Sequence, residues 1–398
     1  MSLKNQLLRN AAAIQGLVTA GYSEDQATVE RQFEKLITGL QNLQEIDGSV
    51  ITADDPWKFE VKEGTCFGGK FFVEERISPK KNLYKARQLL FKGSKNEIYH
   101  HVVVKCTFLE KDMTSDEIAR IVEYEERSID AIGVQANCSP YSIELIDAGR
   151  LTTSDGTVVM LWQAFECMKG DVKLLCRNVG GTMPPFLVMR LARQIAEVLT
   201  VYHTEGIVHR DIKPHNILFH QPTTEGIALL CTNFKLGDAQ LAKGTAHDMS
   251  ITQAGTILGS PQYMSPEQAR GAHNVTVQSD MWSLGVTLYE LATGELPHSF
   301  PRTGTEGSSI SMQSIGNYMQ MILNDIPRML SAHVAGTSYP PWFVRLVDRM
   351  LEKESGMRPT ALEFLMASLT EDARMPLTFF NPPAYLDATQ AIQPEKNP

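Results

Sequence analysis

The spacing of apolar residues changes along the chain, and this change predicts two differently built parts. Short apolar runs, FEV, FFV and HVVVKC, occur between residues 57 and 106 and are typical of β-strands. A longer run, VVMLWQAF at 158–165, predicts a buried strand. In FLVMRLARQIAEVLTVYHT at 186–204, apolar residues recur every three or four positions and predict a helix. A strand-rich part followed by a mainly helical part indicates an α+β fold with two lobes.

Two further helices are predicted in the first part of the chain. Residues 23–43 carry apolar residues at helical spacing behind a sequence that resembles a capping box. This amphipathic helix would pack either on the main domain or on a partner. Thr114 and Glu117 form a second capping pair, which predicts a helix that continues to about residue 132.

Interruptions of these patterns set the expected domain boundaries. DDPW at 54–57 ends the first helical pattern, and the sequence after Arg374 is rich in Pro, Asn and Gln. Residues 74–97 contain seven Lys and Arg residues against three acids, which predicts an insertion or a long hairpin. The expected parts are a helical extension at 1–56, a domain at 57–372 with an N-lobe at 57–166 and a C-lobe at 167–372, and an extended or disordered tail at 373–398.

Composition narrows the classes of partner and compartment. The 37 Lys and Arg residues against 46 Asp and Glu residues give a net charge of -9, which argues against nucleic acid and anionic membranes as partners. The apolar runs are all shorter than the roughly 18 residues that a membrane span needs. MSLKNQLLRN lacks the apolar centre of a signal peptide, and the six cysteines form no CxxC pair. We therefore expect a cytoplasmic protein with buried thiols.

The run HRDIKPHNILF at 209–219 places an Asp, a Lys and an Asn within one short loop. It matches the catalytic-loop pattern of eukaryotic-type (Hanks-type) protein kinases, so the chain resembles that family. The resemblance implies that Asp211 is the catalytic base, that Lys213 places positive charge on the transferring phosphate and that Asn216 binds magnesium. His209 and Arg210 would support this loop. Lys213, followed by Pro, resembles the serine/threonine class. The fold that the resemblance implies has a small β-rich N-lobe with one key helix.

Three later blocks extend the resemblance. GSPQYMSPEQARG at 259–271 is similar to the end of a kinase activation segment, in wording especially like bacterial members. QSDMWSLGVTLYELATGELP and MLEKESGMRPTALEFL resemble the next two blocks of the family. The resemblance implies that Asp280 binds the backbone of the catalytic loop and that Arg358 pairs with Glu267 as a structural clamp.

Upstream, HVVVKC resembles the VAIK pattern and offers Lys105 for the α- and β-phosphates. In the family this Lys pairs with a Glu on the following helix, where Glu123, Glu125 and Glu126 all lie at a plausible distance. At 100° per residue, only Glu125 lies in the middle of the apolar stripe of that helix. Because a carboxylate on an apolar face is costly unless it is paired, we expect Glu125 to pair with Lys105.

The nucleotide-binding residues are assigned by a weaker resemblance. EGTCFGGKFF at 63–72 fits the glycine-rich loop if Gly64 and Gly69 are its outer glycines and Cys66 replaces the middle one. Phe71 then stands where a Val usually covers the adenine.

FECMKGD, at 165–171, resembles the hinge between the lobes. The resemblance places Phe165 at the gatekeeper position and gives the backbone groups of Glu166 and Met168 as adenine contacts.

LGDAQLAKG at 236–244 resembles the magnesium-binding DFG pattern, but it reads DAQ. Asp238, the metal ligand, is present, whereas Ala239 and Gln240 replace Phe and Gly. In the family the Phe packs against the helix that carries the paired Glu. We therefore expect weaker coupling of that helix and an active state held by other contacts, for example the N-terminal helix.

The resemblance implies transfer of the γ-phosphoryl group from ATP, with Mg²⁺ or Mn²⁺, to Ser or Thr of a protein substrate. Thr252 and Thr256 are the expected phosphorylation sites in the activation segment. Residues 1–50 could provide a regulatory contact. The alternative is a pseudokinase that binds nucleotide weakly or not at all and acts as a scaffold or regulatory binding module.

Overall fold

The computed structural model divides the chain into two compact units, residues 1–125 with 144–167 and residues 126–143 with 168–398. The predicted helix at 23–43, the rest of 1–56 and the tail at 373–398 lie outside the described residues. The structure describes residues 57, 59–78, 82–92, 97–123, 125, 139–153, 155–220, 232–237, 261–271, 275–300, 312–334 and 339–372.

The first unit contains a six-stranded sheet whose neighbouring strands are all antiparallel. Its strands are β1 (Cys66–Phe67), β2 (Phe71–Ser78), β3 (Leu83–Lys92), β4 (Glu97–Phe108), β5 (Leu145–Thr152) and β6 (Val158–Glu166). They lie in the order β1-β2-β3-β4-β6-β5. The predicted strands FFV, HVVVKC and VVMLWQAF are therefore confirmed within β2, β4 and β6.

Two sequence expectations for this sheet are refined by the structure. The sequence left open whether the basic segment at 74–97 is an insertion or a long hairpin. The segment contributes to β2, β3 and β4 and so forms hairpins. The strand predicted for FEV at 59–61 is wrong, because these residues form no strand. Phe59 and Val61 still pack, partly buried, against the core of the first unit, which accounts for their apolar character.

One face of the sheet forms the core of the first unit. Val102, Val104 and Cys106 alternate along β4 with their side chains buried, as the two-residue period of a strand requires. Trp162 lies opposite Cys106 on β6 and is 4% exposed. A Cβ added to Gly149 would lie 2.6 Å from the Trp162 ring, so this position of β5 has room only for glycine.

One helix of the first unit is described next to the sheet. Residues 115–123 and 125 are helical, and we call this element α1. The predicted capping box is present: the backbone N–H of Thr114 donates to Glu117 Oε2 at 2.8 Å, and the N–H of Glu117 donates to Thr114 Oγ1 at 3.3 Å.

The second unit is mainly helical, which confirms the predicted α+β class. Its helices are α2 (Val172–Asn178), α3 (Pro185–Thr204), α4 (Pro266–Arg270), α5 (Val277–Thr293), α6 (Met312–Asn324), α7 (Leu330–His333), α8 (Pro341–Met350) and α9 (Ala361–Asp372). A small antiparallel sheet contains β7 (Gly170–Asp171), β8 (Ile217–His220) and β9 (Asn233–Leu236). None of the helices that the structure describes is long and apolar enough to cross a membrane.

Helix α5 lies at the centre of the second unit. Every residue from Ser279 to Leu291 is buried, so the helix is surrounded on all sides. A Cβ added to Gly285 would lie 2.7 Å from the Cβ of Met350, so α5 and α8 approach closely at this point. The helix ends at Thr293 because Gly294 adopts a left-handed conformation with φ of 76°.

His298 should make the stability of the second unit depend on pH. Burial, together with the positive charge of Lys353, lowers the pKa of His298 from 6.5 to about 4. The unfolded chain therefore takes up this proton first as the pH falls, and stability that is present above pH 6.5 is lost between pH 6.5 and about 4. Through His298, the wild type should lose up to about 3 kcal/mol of unfolding free energy across this interval, and His298→Gln should not show this loss.

Urea unfolding of wild type and variant at several pH values between 7.5 and 4.5 measures this difference. His220→Gln, the same change at an exposed histidine on β8, should retain the wild-type pH dependence. Parallel curves for wild type and His298→Gln would show that His298 is not the group responsible.

Candidate active site

The catalytic-loop run is held by a carboxylate at the start of helix α5. Asp280 is 0% exposed, and its oxygens accept the backbone N–H groups of His209 and Arg210, both at 2.8 Å. His203 Nε2 lies 3.0 Å from Asp280 Oδ2. Arg210 has φ of 68°, a conformation that is costly for a residue with a Cβ. The structure thus contains the predicted contact, and this contact holds a strained turn immediately before Asp211.

Two of the predicted residues, Lys213 and Asn216, bind the carboxylate of a third, Asp211. Lys213 Nζ donates to both oxygens of Asp211, at 2.8 and 2.6 Å. Asn216 Nδ2 donates to Asp211 Oδ2 at 2.7 Å and to its backbone oxygen at 2.8 Å. Both Asp211 and Lys213 are mostly buried. The Asp211 side chain is therefore fixed in one orientation by donors from its own loop.

Asn216 also offers a group that fits a metal ion. The residue is 2% exposed, and its amide oxygen Oδ1 is buried without a hydrogen-bond partner among the described residues. A buried acceptor of this kind is unusual unless another ligand completes it. Carboxylate and amide oxygens suit Mg²⁺, so the donor set of Asn216 with Asp238 fits this ion.

The backbone brings the sequence neighbour of Asp238 to Asn216. Gly237 donates its N–H to the backbone oxygen of Asn216 at 2.9 Å, and His209 Nε2 lies 3.2 Å from the Gly237 oxygen. Asp238 itself lies outside the described residues, as do Ala239 and Gln240 and the predicted phosphorylation sites Thr252 and Thr256. Their roles stay predictions.

The predicted clamp between Glu267 and Arg358 is present as a buried ion pair. Arg358 Nη1 and Nη2 donate to the two oxygens of Glu267 at 2.7 and 2.9 Å, and Ser279 Oγ donates to Oε1 at 2.7 Å. Burial alone would raise the pKa of Glu267, but the bonds from Arg358 and Ser279 hold this pKa below its usual value. The pair joins α4 to the segment before α9, outside the catalytic loop, so it supports the fold.

In the first unit, Lys105 lies on the face of the sheet opposite the core. It is directly paired with Leu83 on β3 and with Gln163 on β6, and paired residues project from the same side of a sheet. By the two-residue period of strands, Val103 and Thr107 share this side. We call the side that carries Leu83, Val103, Lys105, Thr107, Gln163 and Phe165 the Lys105 face.

Glu125, the predicted partner of Lys105, also lies against this face. It is 8% exposed; its Oε2 accepts from Gln163 Nε2 at 2.8 Å, and its Oε1 accepts from Thr107 Oγ1 at 3.2 Å. Sequence reasoning placed Glu125 correctly on the buried side of α1 but did not find these two donors. The ion pair with Lys105 stays a prediction.

The role predicted for Phe71 is wrong. Its side chain is 0% exposed and packs on Trp162 with ring centroids 5.8 Å apart, on the core face. A residue on that face cannot cover an adenine bound beside Lys105. Leu83, which sequence reasoning did not single out, is directly paired with Lys105 and shares its face of the sheet. The order of strands could have indicated Leu83, because β3 is the strand that directly precedes and pairs with β4.

The predicted glycine-rich loop does not lie next to the strand that carries Lys105. Gly68 and Gly69 have φ of 55° and 69° and form the turn between β1 and β2, and Gly64 has φ of 83°. Glycine is needed at these positions because the backbone is left-handed there, so the glycines alone do not indicate a ligand. Strand β3 separates their hairpin from β4, so the hairpin next to the Lys105 strand is β2–β3. The phosphate-binding role of Gly64 and Gly69 is therefore not supported by the sheet order.

The predicted hinge residues differ in what their backbone can offer. The N–H of Glu166 donates to the backbone oxygen of Glu144 at 3.1 Å, so this N–H is not available to a ligand. Phe165 lies opposite Val103 and so belongs to the Lys105 face, where a gatekeeper residue would be expected. Met168 is the first residue after this segment of the first unit, and its contact with adenine stays a prediction.

Comparison with known proteins finds a matching family model and several similar proteins. The family model described as "Protein kinase domain" matches residues 90–369. The chain is 34% identical over 210 residues to the serine/threonine-protein kinase pkn2 of Myxococcus xanthus, covering 52% of this chain and 23% of that protein. It is 35% identical over 159 residues to PknB of Mycobacterium leprae, covering 40% of this chain and 24% of that protein.

A third relative is PknL of Mycobacterium tuberculosis strain H37Rv, a serine/threonine-protein kinase. It is 39% identical over 167 residues, which make up 42% of this chain and 36% of PknL. The chain thus spans about a quarter to a third of the length of these curated relatives. Because the family model covers more than half of the chain, the chain belongs to the protein kinase domain family.

Proposed function

We propose that this chain transfers the γ-phosphoryl group of ATP to Ser or Thr hydroxyls of a protein substrate. The observation that carries the proposal is the Asp211 carboxylate, fixed by Lys213 and Asn216 at 2.6–2.8 Å within one mostly buried loop. Phosphoryl transfer needs mainly positioning and charge stabilisation, and this loop supplies a proton acceptor, a cation and a metal-binding oxygen together.

Each residue of the loop has a distinct part in this proposal. Asp211 orients the acceptor hydroxyl and accepts its proton, since the Lys213 and Asn216 donors hold its carboxylate in place. Lys213 brings positive charge to the position where the acceptor oxygen would meet the phosphate. Asn216 Oδ1 and Asp238 would hold Mg²⁺, with Mn²⁺ as an alternative ion. When bound, this ion neutralises charge on the phosphate oxygens.

The first unit would bind the nucleotide through the Lys105 face. Lys105 would contact the α- and β-phosphates, and Glu125 would orient it. Leu83 and Val103 flank Lys105 on the same face and would supply the apolar surface for the adenine. The acceptor class, Ser or Thr, is supported by the Lys213-Pro214 sequence and by the names of the relatives.

Asp211→Asn should reduce phosphorylation by about 10²- to 10⁴-fold, because the amide keeps the shape of the side chain but cannot act as the base. The assay incubates the full chain with labelled ATP, Mg²⁺ and a protein mixture, and phosphoamino-acid analysis should find the label on Ser and Thr. Asp325→Asn, the same change at an exposed position of the second unit, should retain wild-type activity. Equal labelling by wild type and Asp211→Asn would refute the catalytic role of Asp211, and nucleotide binding without turnover by wild type would support the scaffold alternative.

A further inference from the structure

We propose that Gln163 and Thr107 are positioning residues, which hold Glu125 so that it can orient Lys105. This inference rests on the proposed function and deepens it. We call the three side chains Glu125, Thr107 and Gln163 the Glu125 latch. Its two bonds, Gln163 Nε2 to Oε2 at 2.8 Å and Thr107 Oγ1 to Oε1 at 3.2 Å, satisfy one oxygen each of the same carboxylate.

The latch is built on the strand that carries Lys105 and on the neighbouring strand β6. Thr107 follows Lys105 by two residues on β4, so both side chains leave the strand on the same side. Gln163 is the residue of β6 that is directly paired with Lys105. The carboxylate on α1 is therefore bound to the nearest neighbours of Lys105 along its own strand and across to the next one. This geometry fixes the separation between the helix and the strand that carries Lys105.

The chemistry of the two donors suits a carboxylate that must keep its charge for another partner. Glu125 is 8% exposed and Gln163 is 4% exposed, so the carboxylate lies in a poorly solvated place where an unbonded charge is costly. An amide N–H and a hydroxyl are neutral donors, and they satisfy the oxygens without neutralising them. A hydrogen bond to a charged group is among the stronger ones in proteins. The latch thus orients Glu125 and leaves its negative charge for Lys105.

The latch also bears on a departure in the sequence. In the DFG-like pattern, Ala239 stands where the family has a Phe that packs against the helix carrying the paired Glu, and an alanine side chain is much smaller than a phenylalanine ring. The sequence predicted that some other contact must hold the active arrangement. The Glu125 latch supplies such a contact from within the first unit, between α1 and the sheet, and it does not require the residues around Ala239.

The test measures kcat and KM for ATP in variants of the latch. Gln163→Leu removes the amide at similar volume and should lower kcat by about 10- to 100-fold, with a smaller change in KM, because a bond to a charged group is lost. Thr107→Val should lower kcat by about 3- to 10-fold, whereas Thr107→Ser keeps the hydroxyl and should retain most of the wild-type kcat. Gln88→Leu, the same change on β3, should leave kcat within about twofold.

A double-mutant cycle separates positioning from general destabilisation. If Gln163 acts through Glu125, then Gln163→Leu should cause no further loss of kcat in a Glu125→Gln background. Equal losses in both backgrounds, or no loss in either, would overturn the proposal. If wild type transfers no phosphate, the proposed function fails, and hydrogen exchange of the amides of residues 115–123 decides on the latch instead. Faster exchange in Gln163→Leu than in Gln88→Leu would support the latch, and identical exchange would refute it.

Discussion

Arg358→Met should lower the free energy of unfolding by about 3–5 kcal/mol, because it leaves the buried Glu267 carboxylate without its partner. Glu267 is 7% exposed and Arg358 is 2% exposed, so water cannot replace the lost charge at low cost. Arg358 also donates to the backbone oxygens of Glu352, Gln278 and Lys353, at 2.7, 2.9 and 3.1 Å. The substitution therefore breaks an ion pair and leaves three backbone acceptors without their donor.

Thermal unfolding and urea unfolding measure this effect. For a unit of this size, the expected loss corresponds to a decrease in Tm of roughly 6–20 °C. Arg349→Met, at an exposed position of α8, is the matched control and should cost less than about 1 kcal/mol. A loss below about 1 kcal/mol for Arg358→Met as well would contradict the structural role of the clamp.

The double variant Glu267→Gln with Arg358→Met sharpens the test. Removing both charges should cost less than the sum of the single changes, since no buried charge is left unpaired.

The clamp also predicts acid sensitivity. Because the pKa of Glu267 lies below its usual 4.5 in the folded state, its stabilisation is present above pH 4.5 and is lost as the pH falls through the folded pKa. Arg358→Met should lose this component of the pH dependence.

Asp280→Ala should reduce kcat by about 10²-fold or more, because it removes the acceptor that shapes the turn before Asp211. The backbone N–H groups of His209 and Arg210 would be left buried without their acceptor, at a cost of about 1–3 kcal/mol each. Arg210, with φ of 68°, would also lose the bond that holds its strained conformation. The Asp211 side chain would then no longer be presented in one orientation.

The measurement combines steady-state kinetics with hydrogen exchange of residues 209–216. The amides of His209 and Arg210 should exchange faster in Asp280→Ala than in wild type. Asp280→Asn retains one acceptor oxygen and should give an intermediate kcat, whereas Asp325→Ala, at an exposed position, should behave as wild type. A kcat within about twofold of wild type for Asp280→Ala would show that the turn does not depend on this carboxylate.

The features that the sequence predicted correctly are those that depend on neighbouring residues. The helix expected at 186–204 is α3 (Pro185–Thr204), since its apolar period of three and four residues is a property of the segment itself. The capping pair Thr114 and Glu117 starts α1 as expected. The interactions of Asp211 with Lys213 and Asn216 lie within six consecutive residues, so they depend on a short local segment.

The features that the sequence did not predict depend on strand register. An apolar residue such as Phe71 can belong to either face of a sheet, and a shift of one residue exchanges the faces. Only the pairing of β2 with β3 and of β3 with β4 shows that Phe71 lies in the core and that Leu83 lies beside Lys105. The two donors of Glu125 were also missed, because they come from other elements; Gln163 is 38 residues away in the chain.

The sequence by itself determined the family resemblance, the α+β order of elements, the short loop of Asp211, Lys213 and Asn216, and the buried side of α1. Each of these follows from local spacing, whether the helical period, the alternation of a strand or the fixed steps of a motif. The tertiary structure alone decided which side chains share a face of the six-stranded sheet, and therefore what holds Glu125 and what lies next to Lys105. Contacts across strands are set by register and twist, which depend on the whole sheet and not on any one segment.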